Sequence, residues 1–303
     1  MHANGSPCPA SFDDRAFFDP DAQLPLPLPE AQSYAREVMR RARVLSTTGI
    51  DVRQDIAYGP HPLHRYNVFS PQRTSGAPIV IFWHGGGWTN GYRDYVSFMA
   101  PHVVGLDCVL VAPSYGLAPE NPLPAAYEDS LAMLAHVTRN AAGFGGDAER
   151  LFLGGHSAGA HLARLIALRV RDAHQAGIAE GAIRACLPIS GIMDLHHPQP
   201  APQTLEERVY TMVLRDSRED VAMSPVGWAR GNTVPICMSF GEFDSARVQT
   251  SNLHLADPLA LEPGPSSLIV EPGLDHFGTH LSLNDAGAGW YRQLQQHLQE
   301  GKR

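Results

Sequence analysis

Leu151-Phe152-Leu153-Gly154-Gly155-His156-Ser157-Ala158-Gly159-Ala160-His161 decides the fold. A short apolar run ends in Gly-x-Ser-x-Gly (Gly155, His156, Ser157, Ala158, Gly159), and a helix-compatible stretch follows. The pattern predicts a tight strand-to-helix turn with the serine at its tip. Such a turn is sterically crowded, so small residues must flank the serine. The geometry lifts the hydroxyl clear of the sheet and aims a helix N-terminus at it. Ser157 is therefore the candidate nucleophile.

On either side of this stretch, short apolar runs alternate with helical patterns. Strands are expected at 51–58, 63–69, 78–83, 108–112, 151–153, 183–189, 235–240 and 267–271, the first two forming an antiparallel pair. Helices are expected at 31–45, 92–104, 122–140, 158–174, 205–215 and 279–299. Continuously apolar strands alternating with helices imply a mainly parallel, eight-stranded sheet covered by helices on both faces, an α/β fold. Residues 1–48 read as an N-terminal extension and 49–303 as one domain. In the extension, Leu24-Pro25-Leu26-Pro27-Leu28-Pro29 must be extended, because alternating prolines forbid helix. It is expected to lie across the body as a strap, covering a pocket or building a homodimer contact. The Pro- and His-rich segment 196–202 reads as a surface loop or part of a lid.

Hydrophobic residues make up 44% of the 303, enough for a large core. No run approaches the roughly 20 apolar residues of a membrane span. The N-terminus lacks a basic stretch followed by an apolar one, so no secretory signal is expected and the cytoplasm is the default location. A net charge of −8 argues against a nucleic-acid surface. Cys8, Cys108, Cys186 and Cys237 lack metal-ligand spacing; the last three fall in predicted strands and are expected to be free and buried.

Acyl transfer needs a nucleophile, a base, a group that orients the base, and donors for the oxyanion. His84-Gly85-Gly86-Gly87-Trp88 directly follows the strand 78–83. Glycines let backbone N–H groups approach a substrate carbonyl. Those of Gly86 and Gly87, with that of Ala158 just after the serine, are the candidate donors. Asp244, after the strand 235–240, is the candidate orienting acid. Glu242 competes with it, and Asp244 would also fit as the N-cap of the next helix. His276 lies between the last strand and the last helix and is the candidate base; His280 is its near competitor. His156 and His161 flank the serine as packed residues or pocket wall. Gly85, Trp88, Tyr92, His156, Met193 and Phe243 are the candidate substrate contacts, and Asp194 is either a polar contact or a turn cap. Neither a metal nor an organic cofactor is required. The partner is expected to be a small acyl substrate, aromatic or apolar.

With these residues placed, the chain over roughly 50–300 resembles the α/β-hydrolase superfamily, whose initial hairpin and Ser–Asp–His order it shares. His84-Gly85-Gly86-Gly87, Tyr115-Gly116-Leu117-Ala118-Pro119-Glu120 and Pro124-Ala125-Ala126 resemble hormone-sensitive-lipase-type carboxylesterases, with Gly116 in place of their usual arginine. Trp88, the stretch 155–162, Ser190-Gly191-Ile192-Met193-Asp194-Leu195 and Asp275-His276-Phe277 are similar to arylformamidases, which carry an aromatic residue where Gly87 stands. The first resemblance implies short acyl esters as substrates, the second a formyl group on an aromatic amine. An acyltransferase or thioesterase shares the acyl-enzyme step and stays open. So does a non-catalytic ligand-binding protein of this fold.

Overall fold

The computed structural model describes residues 19–300. The strands are β1 (Ile50–Ala57), β2 (Arg65–Pro71), β3 (Ala77–Trp83), β4 (Val109–Pro113), β5 (Gly146–His156), β6 (Ile183–Ile189), β7 (Ile236–Phe243) and β8 (Ser266–Asp275). They form one sheet in the order β1-β2-β4-β3-β5-β6-β7-β8. The pairs β1/β2 and β2/β4 are antiparallel, and all others are parallel. The helices are α1 (Glu30–Arg43), α2 (Ala100–Val104), α3 (Leu123–Asn140), α4 (Ala158–Leu168), α5 (Val170–Gln175), α6 (Leu205–Arg208), α7 (Ala246–Leu259), α8 (His276–Leu281) and α9 (Gly289–Glu300). This is the α/β-hydrolase fold expected from the sequence.

Every residue of β3 is buried, as a strand covered on both faces requires. Its side chains alternate between two cores. Ile79, Ile81 and Trp83 join Leu134, Leu162 and Ile166 of α3 and α4 on one face. Val80 and Phe82 join Val38 of α1, Met99 and Leu294 of α9 on the other. The inward stripe of α1 (Ala31, Tyr34, Ala35, Val38, Met39, Ala42) has helical spacing, which fastens this helix to the sheet.

Several elements differ from their expected bounds. The helix expected over 158–174 breaks at Arg169, whose φ of −97° and ψ of 53° leave the helical region. The arginine there pairs with Asp172 at 2.6 Å and lies over the rings of Tyr127 and Trp228. The closing helix is split in two, because Asp285 accepts the Gly287 N–H in a turn between α8 and α9. Residues 205–215 hold only α6 and a π-helical turn at Val209–Val213, and 93–99 are 3-10 helix ahead of α2. β5, β7 and β8 run longer than their apolar cores; Phe243 still pairs with Asp275 at the far end of β7. Cys186 and Cys237 lie in β6 and β7, while Cys108 sits just before β4; all three are buried, and Cys186 and Cys237 are free. Cys8 lies outside the described residues.

The turn between β5 and α4 is set by backbone crowding. A Cβ on Gly155 would stand 2.4 Å from the carbonyl carbon of Gly159, and one on Gly159 would stand 2.2 Å from the Trp83 oxygen. Ser157 at the tip has φ 54° and ψ −119°, a strained conformation for a residue with a side chain. Its N–H is held by the Ile189 oxygen at 2.9 Å. Gly159→Ala is thus expected to cost about 3 kcal/mol or more, because backbone cannot yield as a side chain does. Gly177→Ala, at φ 96° with open space around it, should cost only about 1–2 kcal/mol. Equal melting temperatures for the two variants would contradict this account of the turn.

Candidate active site

The loops after β5, β7 and β8 all open at the C-terminal ends of parallel strands, where open α/β sheets gather ligands. Ser157 Oγ donates to His276 Nε2 at 3.0 Å, and His276 Nδ1–H donates to Asp244 Oδ1 at 2.9 Å. The same carboxylate oxygen accepts the Ser245 N–H at 2.9 Å. Burial pushes the Asp244 carboxyl up, but the hydrogen bond and charge of His276, the Ser190 hydroxyl and the Ser245 N–H outweigh it. The carboxyl therefore lies below its usual range, ionised beside the imidazole.

The competing residues are engaged elsewhere. Ser245, not Asp244, caps α7, accepting the Val248 N–H. Glu242 is exposed and accepts the Gly273 N–H. His280 is fully buried in α8 and contacts the Tyr34 hydroxyl at 2.8 Å. His161 is packed, with Nε2 on the Met223 carbonyl and its ring against Trp88. Asp194 caps a turn through the His196 N–H.

Beside Ser157, the loop after β3 runs through Gly86 and Gly87 at φ 132° and 59°. A Cβ on Gly86 would strike the Asn90 oxygen at 2.1 Å, and one on Gly85 would lie 3.1 Å from Ser157 Cβ. The chain can pass this close to the serine only without side chains. Ala158 begins α4, so its N–H has no acceptor one turn earlier in the helix. Gly86, Gly87, Ser157 and His276 border one small cavity of about 30 Å³. Its other walls come largely from the start of the described chain: Leu26 and Leu28 of the strap, and Tyr34 of α1. Tyr95, Phe277 and Leu205 also line it. Leu26 and Leu205 both press on Gly87, each 3.3 Å from where a Cβ would sit.

Polar contacts fix the strap over the glycine loop. The Gln23 amide donates to the Gly91 oxygen at 3.2 Å and accepts the Gly91 N–H at 2.8 Å. Asn90 Nδ2 donates to the Leu24 carbonyl, and Arg208 donates to the Pro25 carbonyl and to Thr89 Oγ1.

Of the predicted substrate contacts, His156 lines this cavity and Gly85 adjoins the serine. The other four lie elsewhere. Trp88 and Met193 are buried in the core, where their apolar surface is fully covered. Tyr92 lies under the Arg93 guanidinium, and Phe243 points to solvent, 66% exposed on the end of β7. Tyr34, Tyr95 and Leu205 were not singled out by the sequence reading. The inward stripe of α1 marks Tyr34 as buried, but periodicity cannot say that it faces Ser157. Among the described residues no three His, Cys, Asp or Glu side chains gather to hold a metal ion. Nor is any described helix long and apolar enough to cross a membrane.

A family profile described as the alpha/beta hydrolase fold matches residues 80–278. Carboxylesterase NlhH of Mycobacterium tuberculosis is 39% identical over 127 residues, 42% of this chain and 38% of that protein. Esterase LipQ of the same organism is 32% identical over 205 residues, 63% of this chain and 48% of that protein. The chain thus spans less than half the length of each of these relatives. Among solved structures, esterase B from Lactobacillus rhamnosis superposes with a TM-score of 0.71 at 18% identity, over 89% of this chain and 90% of that one.

Four buried imidazoles surround the site. Burial pushes His84 and His161 down to about 4. Burial and the charge of His276 push His156 to about 3. His280, buried near His156, Arg41 and His84, lies well below the usual range. In the unfolded chain all four titrate near 6.5. The unfolded state therefore binds more protons below that pH, and stability present above about 6.5 is lost as pH falls toward the folded values. The melting temperature should drop between pH 6.5 and 5, with each ring contributing up to about 1.4 kcal/mol per pH unit. The lowered Asp244 carboxyl titrates below this window. A thermal melt that is flat from pH 7 to 5 would mean that these rings reach water.

Proposed function

We propose that this chain, which belongs to the α/β-hydrolase fold family, is a serine esterase acting on short acyl esters. The observation that carries this reading is the hydrogen-bonded row Ser157–His276–Asp244 opening on a small cavity bordered by Gly86 and Gly87. Two relatives that bear esterase names support it.

His276 Nε2 takes the hydroxyl proton as Ser157 Oγ attacks the ester carbonyl. Asp244 holds the Nδ1–H tautomer and stabilises the imidazolium that forms. The N–H groups of Gly86, Gly87 and Ala158 receive the negative oxygen, and each such donor contributes roughly 3–4 kcal/mol in the transition state. His276 then returns its proton to the departing alkoxide, and water repeats the cycle on the acyl-serine.

The cavity limits the acyl group. One water needs roughly 10–15 Å³ of such space, so about 30 Å³ holds two or three water-sized units, which matches an acetyl group. An aryl formamide is the second reading, because a formyl group, smaller than acetyl, fits the same cavity.

A fluorophosphonate should label Ser157, and Ser157→Ala should lower kcat by roughly 10⁴- to 10⁶-fold. A folded wild-type protein that resists labelling would overturn the proposal. Acetyl and hexanoyl p-nitrophenyl esters, compared with N-formylanilines, will separate the two substrate classes. Replacing both Leu26 and Leu205 with alanine should lower the acetyl-to-hexanoyl ratio of kcat/KM by about tenfold, the scale of one or two methylenes in an apolar pocket. An unchanged ratio would mean that other walls set the limit.

A further inference from the structure

We propose that Tyr34 is a positioning residue for His276, acting through His156 from the opposite end of the chain. This rests on the proposed role of His276 as base. The carbonyl of His276 accepts two hydrogen bonds, from His156 Nε2 at 2.8 Å and from Thr279 Oγ1 at 2.8 Å. A carbonyl only accepts, so His156 carries its proton on Nε2. Because the ring is neutral, its Nδ1 is left as an acceptor. That nitrogen faces the Tyr34 hydroxyl at 3.4 Å, and the same hydroxyl meets His280 Nδ1 at 2.8 Å. The row therefore runs from His280 Nδ1–H to the Tyr34 oxygen, from Tyr34 O–H to His156 Nδ1, and from His156 Nε2–H to the His276 carbonyl. It leaves a bare nitrogen, His280 Nε2, without a partner among the described residues.

Ring packing holds the row in register. His156 and His280 stack with centroids 5.0 Å apart and planes 10° apart. Tyr34 stacks on Phe277, next to His276, at 4.8 Å. The His156 ring centre is 4.9 Å from that of His276. A neutral His156 thus places no charge beside the imidazolium that forms during turnover. Tyr34 fixes the orientation of His156, and His156 fixes the main chain of His276. Small errors in the place of a base weigh on the transition state more than on substrate binding.

Tyr34→Phe keeps the stack on Phe277 and removes only the hydroxyl. At a temperature well below both melting points, with active sites counted by fluorophosphonate titration, kcat per site should fall about fivefold. KM should stay within twofold. A role confined to fold stability would lower the melting temperature and leave kcat per site unchanged, and that result overturns the proposal. His156→Gln can still offer an N–H to the His276 carbonyl and should keep at least tenfold more kcat than His156→Leu. Equal activities of those two variants would also overturn it. Should wild-type Ser157 resist labelling, the esterase reading has failed; normal labelling with an unaffected Tyr34→Phe variant removes the positioning role alone.

Discussion

The contact between Gly159 and the carbonyl oxygens of Trp83 and His84 is the constraint on which the site depends. It locks the first turn of α4 against the end of β3, leaving no room for a side chain. Three consequences follow. Ser157 is forced to positive φ at the tip of the turn. The helix N-terminus, with its unpaired N–H groups, faces the space above the sheet. The glycine loop that continues from β3 is held next to the serine from the outset. The strain at Ser157 persists because neighbouring backbone fixes it on both sides: the Ile189 oxygen holds its N–H, and the Ser157 oxygen accepts the His161 N–H at 3.1 Å.

Around this rigid turn the protein buries an unusual set of polar rings. His84, His156, His161 and His280 are all almost fully enclosed. An apolar ring in each place would avoid desolvating nitrogen atoms, so their retention calls for a compensating interaction. Three have one in a backbone carbonyl: His84 with Gly85, His156 with His276, and His161 with Met223. Each therefore ties one loop of the site to a ring that cannot easily rotate. The His276 loop is the most heavily tied, through His156, Thr279 and the Nδ1–H bond to Asp244.

The chain order of the site was legible because its parts sit at strand ends, and strand ends show in sequence as breaks in apolar runs. Ser157, Asp244 and His276 each follow such a run, and the structure brings their side chains into contact. Local crowding was legible too, since Gly155, Gly159 and Gly86 stand where a Cβ would strike backbone. Element ends were less so. Arg169 breaks a helix through contacts with Tyr127, Trp228 and Asp172, partners remote or nearby that helical periodicity does not weigh. The pocket was the least legible part. Trp88 and Phe243 are sequence neighbours of Gly87 and Asp244, and Met193 follows the end of β6, yet Trp88 and Met193 are buried in the core and Phe243 is exposed to solvent. Proximity along a strand says little about direction, because one residue of register turns a side chain to the other face.

This separation has a physical source. Ser157, Asp244 and His276 belong to loops of the sheet, whose positions are set by backbone hydrogen bonds and glycine contacts. The walls come largely from a strap, α1 and α6, and side-chain amides and one guanidinium (Gln23, Asn90 and Arg208) fasten the strap to the loop after β3 and to α6. Changes in strap residues such as Leu26 alter the volume in front of Ser157 without touching the backbone crowding that positions it. Changes at Gly155 or Gly159 do the reverse. Tyr34 belongs to both systems, as a wall of the cavity and as a partner of His156 and His280. Under the proposed esterase reading, a substitution there acts on volume through its ring and on His276 through its hydroxyl, which couples the fit of the substrate to the placement of His276 at this one residue.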